Sequence, residues 1–161
     1  MGIVASSILP PNFGYFAGGF DGSVVLSSID KLNFNTDINS SSGKNLTSQI
    51  IALSGMANSG TAGYFGGGQD SKLNNLSSVE KLAFSTESVT SLKKVLSETR
   101  INHAGMANSG TAGYFAGTGG AGVTSSSIDK IAFSNDTSSA LSSNLSTNNT
   151  QLAAAAGSLG I

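Results

Sequence analysis

The sequence predicts an all-β protein built from three similar units of about four short strands each. Repetition is the first observation: the string GMANSGTAGYF stands unchanged at Gly55 to Phe65 and again at Gly105 to Phe115. The second is that two landmarks keep step along the chain. GYF begins at Gly14, Gly63 and Gly113, while SSIDKLNF, SSVEKLAF and SSIDKIAF begin at Ser27, Ser77 and Ser126, so every spacing is 49 or 50 residues. Third, both landmarks are short runs with β-branched and aromatic residues, bounded by Gly, Ser, Asn and Asp clusters that punctuate strands.

The elements of one unit follow in order. GYF is a strand whose Tyr and Phe point to opposite faces. The variable segments GGFDGSVVL, GGGQDSKLNNL and GTGGAGVTS come next, and the IDKL element is the second strand. In it Ile29 points to one face while Leu32 and Phe34 point to the other, so both faces are expected to be buried, as in a small sheet held between two like neighbours. A weaker run follows, such as SVTSLKKVLS at Ser88 to Ser97, and then the AGMAN segment as a fourth strand. NSGTAG carries a Ser-Gly turn. GMAN is read as finishing one unit and TAGYF as starting the next. The units are thus about 14–62, 63–112 and 113–161 of a single repeat domain, with 1–13 an N-terminal strand and linker.

Composition narrows the function classes. Of 161 residues 39% are apolar but only 11% are charged, well under the roughly 25% of ordinary soluble domains. Ser, Thr, Asn and Gly fill the difference and give a neutral, hydrogen-bonding surface of the kind met in extracellular and virion-exposed β proteins. Eight basic and nine acidic residues are scattered, with Lys93-Lys94 the one basic pair, so no footprint for nucleic acid or an anionic membrane is present. The absence of cysteine excludes disulfides, thiolate metal sites and cysteine nucleophiles. The first residues, MGIVASSILPPNFGYF, lack a basic n-region and are broken by Ser6, Ser7 and two prolines, so no secretory signal is expected. No run reaches the ~18 apolar residues of a membrane helix.

About four strands every 40 to 50 residues is the period of a propeller blade. GYFAGG at Gly14 to Gly19, GYFGGG at Gly63 to Gly68, the aliphatic-acidic strand after each, and RINHAGMA at Arg100 to Ala107 resemble the kelch repeat over nearly the whole chain. The chain departs from that family in having no Trp and in GYFAGT where the third unit would carry a glycine pair. The GYFAGG and IDKL repeats are also similar to those of bacteriophage tail-fibre and virion proteins. The resemblance implies kelch-like β-propeller blades and a virion location.

Three blades do not close a ring, since propellers use four to eight, and open ends leave unpaired strand edges. A ring completed by homo-oligomerisation is therefore expected: a dimer gives six blades, and a trimeric fibre or prism is the alternative. GIVA at Gly2 to Ala5 and LAAAAGSLGI at Leu152 to Ile161 resemble the GMAN element, giving four copies of one strand against three of the others. One of them is expected to pair across a chain boundary or to cap an end.

Candidate sites are few. His103 is the one histidine. It has no second histidine or ligand-spaced carboxylate beside it, and a structural hydrogen bond within a strand pair is its expected role. Asp30-Lys31, Glu80-Lys81 and Asp129-Lys130 recur in every unit. They form either a carboxylate ring around a channel or, by preference, salt bridges and turn contacts between neighbouring blades. Gly117 to Ser127 lacks the Lys-Ser/Thr of a phosphate loop, and its glycines are expected to supply positive φ and close packing. Tyr15, Tyr64 and Tyr114 share one repeated position and are read as core. Six Asn-x-Ser/Thr triplets, among them Asn45 and Asn144, are expected by chance in such a composition. FDGS and QDSKLNN differ between units on a constant frame, which is where recognition is usually placed. Asp21, Gln69, Asp70 and Lys72 are accordingly the candidate contacts for a glycan or receptor.

No catalytic, cofactor-binding or metal-ligating residue is expected, and no cofactor. The expected function is that of a non-enzymatic phage structural or interaction protein on the virion surface: a tail-fibre, receptor-binding or capsid-decoration component. Its expected partners are copies of itself and other virion proteins, with a host-surface glycan a further candidate and no role for nucleic acid or membrane insertion. A lectin-like glycan-binding propeller module, virion-borne or extracellular, is the alternative. An enzyme is disfavoured by one His, no Cys and no unit-specific acid cluster.

Overall fold

A computed structural model describes residues 12–120 and 123–157. The chain is all-β, with no helix among the described residues. Strands β1 (Phe13–Ala17), β2 (Ser28–Asn33) and β3 (Ile38–Asn45) form a first antiparallel sheet. A second sheet follows the order β5 (Ser54–Asn58), β6 (Ala62–Gly66), β8 (Val79–Ala83) and β9 (Ser88–Ser91). The third has the same plan: β10 (Ala104–Asn108), β11 (Ala112–Gly120), β12 (Val123–Ala132) and β13 (Thr137–Ala140). A two-stranded pair of β4 (Ile50–Ile51) with β7 (Gln69–Asp70) ties the linker leaving the first sheet to the variable loop of the second.

Strand pairing moves the expected unit boundaries. GMAN and GYF do not belong to successive units: Met56 lies opposite Tyr64 and Met106 opposite Tyr114, so each GMAN strand forms a hairpin with the GYF strand that follows it. The sheet begins at GMAN because a short polar turn links two antiparallel strands more cheaply than a long crossover. Gly60 and Gly110 take the left-handed backbone that this turn requires (φ 73° and 81°). The two identical turns touch one another. Asn58 Oδ1 accepts the Gly110 N–H at 2.8 Å, and the Ser59 N–H donates to Ser109 Oγ at 2.9 Å. The eleven-residue string is thus unchanged where its two copies pack together.

The terminal copies behave differently. GIVA, with Pro10 and Pro11, and the last residues of LAAAAGSLGI lie outside the described residues, as do residues 121 and 122 of the glycine-rich loop. Residues 152–157 pair with no strand of this chain.

Register explains why Tyr-Phe and Asp-Lys recur as pairs. Tyr15 lies opposite Lys31, Tyr64 opposite Lys81 and Tyr114 opposite Lys130, while Phe16, Phe65 and Phe115 lie opposite Asp30, Glu80 and Asp129. Each sheet therefore has a Tyr/Lys face and a Phe/acid face. The Tyr/Lys face of one sheet packs on the Phe/acid face of the next. One cluster between the first and second sheets contains Ile29, Leu46, Ile50 and Leu82, and another between the second and third contains Met56, Tyr64, Val79, Phe115 and Ile131. Both faces of the middle sheet are buried, as the apolar pattern of its strands predicts.

Glycine is needed most where a linker crosses the end of the GYF strand. Gly67 has φ 61°, and a Cβ there would run into the Arg100 carbonyl; Gly68 N–H donates to that carbonyl at 2.6 Å. Gly67→Ala is expected to cost about 2–4 kcal/mol in urea unfolding, from strain plus the displaced backbone. Gly60→Ala, with φ 73° but open space around it, is expected to cost only ~1 kcal/mol. Equal losses at the two positions would show that crowding by the linker contributes nothing.

Candidate functional site

The recurring polar residues converge on the boundaries between sheets. At the first boundary, Tyr15 stacks on Phe84 with ring centroids 5.3 Å apart and planes 11° from parallel, and its hydroxyl donates to Glu87 at 3.0 Å. Lys31 pairs with the same carboxylate. At the second boundary Tyr64 stacks on Phe133 at 5.1 Å and donates to Asp136 at 2.7 Å, while Lys81 Nζ lies 2.6 Å from Asp136. Each clamp therefore joins the Tyr and Lys of one sheet to the Phe and turn acid of the next. Glu87 and Asp136 sit in the turns after β8 and β12 with left-handed φ of 52° and 55°. Lys31 and the Tyr15 hydroxyl hold the Glu87 carboxyl below its usual range, and burial with the Glu87 hydrogen bond pushes the Tyr15 phenol up to about 12. Tyr64 is raised further for the same reasons.

A second contact uses the acids of the IDK element. Glu80 accepts the N–H of Thr47 at 2.8 Å and its hydroxyl at 2.6 Å, and Asp129 accepts the N–H and hydroxyl of Ser97, each at 3.1 Å. Both carboxylates thus cap a loop of the preceding unit. Asp129 also receives Arg100 Nε at 3.1 Å and a terminal guanidinium nitrogen at 2.8 Å, with both side chains fully buried. Arg100 reaches further, to the Gly117 carbonyl at 2.7 Å and the Ser127 hydroxyl at 2.7 Å. The acids of the IDK element thus serve contacts between neighbouring units. Asp30 is exposed, and no described residue hydrogen-bonds its side chain.

Among the described residues the expected structural hydrogen bond of His103 within a strand pair is not found. Both ring nitrogens are buried without a partner at hydrogen-bond geometry. The ring packs edge-on to Phe115 at 5.5 Å and lies against Gly67, just before β10 rather than within a strand pair. Leu53 and Leu152 occupy the matching places beside Gly18 and Gly117, so His103 fills a leucine position. Burial, and then the Arg100 charge, pulls its pKa down to about 4; the nearby Gly66 backbone opposes this only in part.

The variable loops hold their own shape. The Asp21 carboxylate accepts the N–H groups of Ser23 and Val24 at 2.8 and 2.9 Å. Asp70 accepts those of Lys72 and Asn74, both at 2.8 Å, and the Asn74 amide at 2.9 Å. Gln69 donates to Asn75 at 3.0 Å. These bonds depress both carboxyls. Of the four loop candidates, Asp21, Gln69 and Asp70 build the turns, and the exposed Lys72 ammonium has no hydrogen-bond partner among the described residues. The loop tips carry apolar side chains that sequence reasoning passed over: Phe20, Val24 and Leu73 are exposed. The turn acids Asp37, Glu87 and Asp136 were also missed, although spacings of 50 and 49 residues mark them as a repeated position. Among the described residues no cluster of three or more His, Cys, Asp or Glu side chains is grouped to hold a metal ion, and no helix is long and apolar enough to cross a membrane.

Fold and site together define an all-β protein of stacked repeat sheets whose recurring polar side chains join one unit to the next. No protein-family model and no curated protein matches the chain.

Two stability measurements follow. Arg100→Met leaves Asp129 buried without its cation and is expected to cost about 3–5 kcal/mol, whereas Lys31→Met at the part-exposed clamp is expected to cost ~1 kcal/mol or less. Because the His103 pKa is depressed in the folded chain, the unfolded state binds more protons, so stability is lost as pH falls from about 6.5 towards 4. His103→Leu is expected to reduce the pH-dependent loss over that window by roughly 3 kcal/mol, read as a flatter plot of stability against pH than wild type gives.

Proposed function

We propose that this chain is a non-enzymatic structural and interaction protein of a virus particle, a bacteriophage particle by preference, and that its units are blades of a kelch-like propeller completed by self-association. One observation carries the structural half of the reading. The Tyr, Lys, acid and Arg groups that recur or stand out in the sequence hold neighbouring sheets to each other, so the chemistry in the repeat builds a stiff body. The virion half rests on the resemblance of the GYFAGG and IDKL repeats to phage proteins and on the neutral Ser, Thr and Asn surface. A tail-fibre, receptor-binding or capsid-decoration role fits this body equally. Copies of the chain and other virion proteins are its partners in this reading, without nucleic acid, membrane insertion or cofactor.

Exposed Phe20 and Leu73 beside the fixed carboxylate turns of Asp21 and Asp70 favour a second reading, a lectin-like module, because sugar faces pack on apolar side chains framed by polar groups. Antibody against the chain is expected to label intact purified particles without disruption. Particles that lack the chain would overturn the virion reading. On a glycan array, saturable binding abolished by Phe20→Ala and Lys72→Ala would replace it with the lectin reading.

A further inference from the structure

The first and third sheets display the unmatched halves of a contact that the chain makes twice between neighbouring sheets. By the 49- and 50-residue spacing, the partners of Tyr15, Lys31 and Tyr64, Lys81 are Glu87 and Asp136, and the remaining members of the two series are Tyr114, Lys130 and Asp37. Among the described residues neither Lys130 nor Asp37 makes an ion pair.

Exposure follows the same logic. On the Phe/acid face of the first sheet Phe16 is 63% exposed, while its counterpart Phe115 at an internal boundary is fully buried. Phe34 on that face is 52% exposed, although its counterpart Phe84 packs into the first boundary. On the Tyr/Lys face of the third sheet Met106 is 38% exposed against 8% for Met56. A groove of about 600 Å³ runs there between Met106, Tyr114 and Ala156.

We infer that the Phe/acid face of the first sheet receives the Tyr/Lys face of the third sheet of a second copy of this chain, with Tyr114 and Lys130 of one copy closing on Asp37 of the other. The contact is head-to-tail, so each copy offers a different face. In it Tyr114 stacks on Phe34, Lys130 and the tyrosine hydroxyl meet Asp37, and Asp30 caps the loop at Ser146 as Glu80 caps Thr47 and Asp129 caps Ser97. The occupant follows from complementarity: the two faces match each other in charge, aromatic position and turn geometry, and this match already exists at both internal boundaries. The inference rests on self-association, as proposed above, and not on particle location.

The chain has no cysteine, so single cysteines report the contact cleanly. Lys31→Cys with Glu87→Cys in one chain calibrates a short thiol cross-linker on the internal clamp. A mixture of Asp37→Cys chains and Lys130→Cys chains is expected to cross-link between chains with comparable efficiency, and neither variant alone is expected to do so. Asp37→Lys and Lys130→Asp should each weaken self-association by about tenfold or more, because a like-charge pair replaces an attraction, and mixing the two variants should restore it. The inference is overturned if the wild-type chain stays monomeric by light scattering at about 100 μM, above the Kd of an ordinary specific interface. It is equally overturned if the internal control links but the mixture does not, or if either single variant links to itself, which marks a symmetric contact. Particles that lack the chain, with cross-linking intact, would overturn the virion reading alone.

Discussion

A small sheet that is apolar on both faces has to be covered on both. In the second sheet, Val79 and Tyr64 on one side and Leu82 on the other are fully buried. That burial is the main favourable term available to so thin an element, at roughly 25 cal/mol per Å² of apolar surface. A sheet of four short strands has too little core of its own to stand alone. Its stability therefore comes from its neighbours, and the architecture follows from that dependence. The end sheets, each with one covered face, carry the exposed Phe16, Phe34 and Met106.

Apolar contact sets how strongly sheets adhere but says little about register, and the polar groups supply that. A stacked aromatic pair contributes about 0.5–1.5 kcal/mol beyond its area, and the partly exposed Lys–acid pairs add little more. Their value lies in geometry: a Tyr hydroxyl and a Lys that must reach the same turn carboxylate permit only one alignment. Arg100 and Asp129 act differently, because both are fully buried and pay a large desolvation cost. The five donors of the guanidinium meet Asp129, Gly117 and Ser127, which leaves the linker after the second sheet one position against the third. The equivalent residue at the first boundary is Ile50, buried in the apolar cluster, so the same linker is fixed there by packing.

Much of this was legible in the chain as letters. Constant spacing of GYF and IDKL announced three units, and opposite-facing Tyr and Phe announced sheets covered on both sides. The preference for contacts between units over a channel ring agrees with Glu80 on Thr47 and Asp129 on Ser97. Other features were hidden for physical reasons. GMAN pairs with the GYF strand after it, and no local pattern tells which of two flanking strands a short run will join. Asp37, Glu87 and Asp136 sit in divergent turns, NTDI, STES and SNDT, where the shared feature is an acid at a left-handed position and not a motif. His103 invites a polar reading by its type, yet stands where the other units place leucine.

The sequence by itself determined the β class, the number of units and the two unlike faces of each sheet, because alternation along a strand and a fixed spacing are properties of the chain alone. Tertiary structure decided which face meets which, where each sheet begins, and that two carboxylates in turns serve as partners for tyrosines some seventy positions away. Those outcomes depend on distances across a boundary between sheets. A hydrogen bond such as Tyr64 to Asp136 exists only once two sheets lie face to face, and nothing local to either residue encodes it.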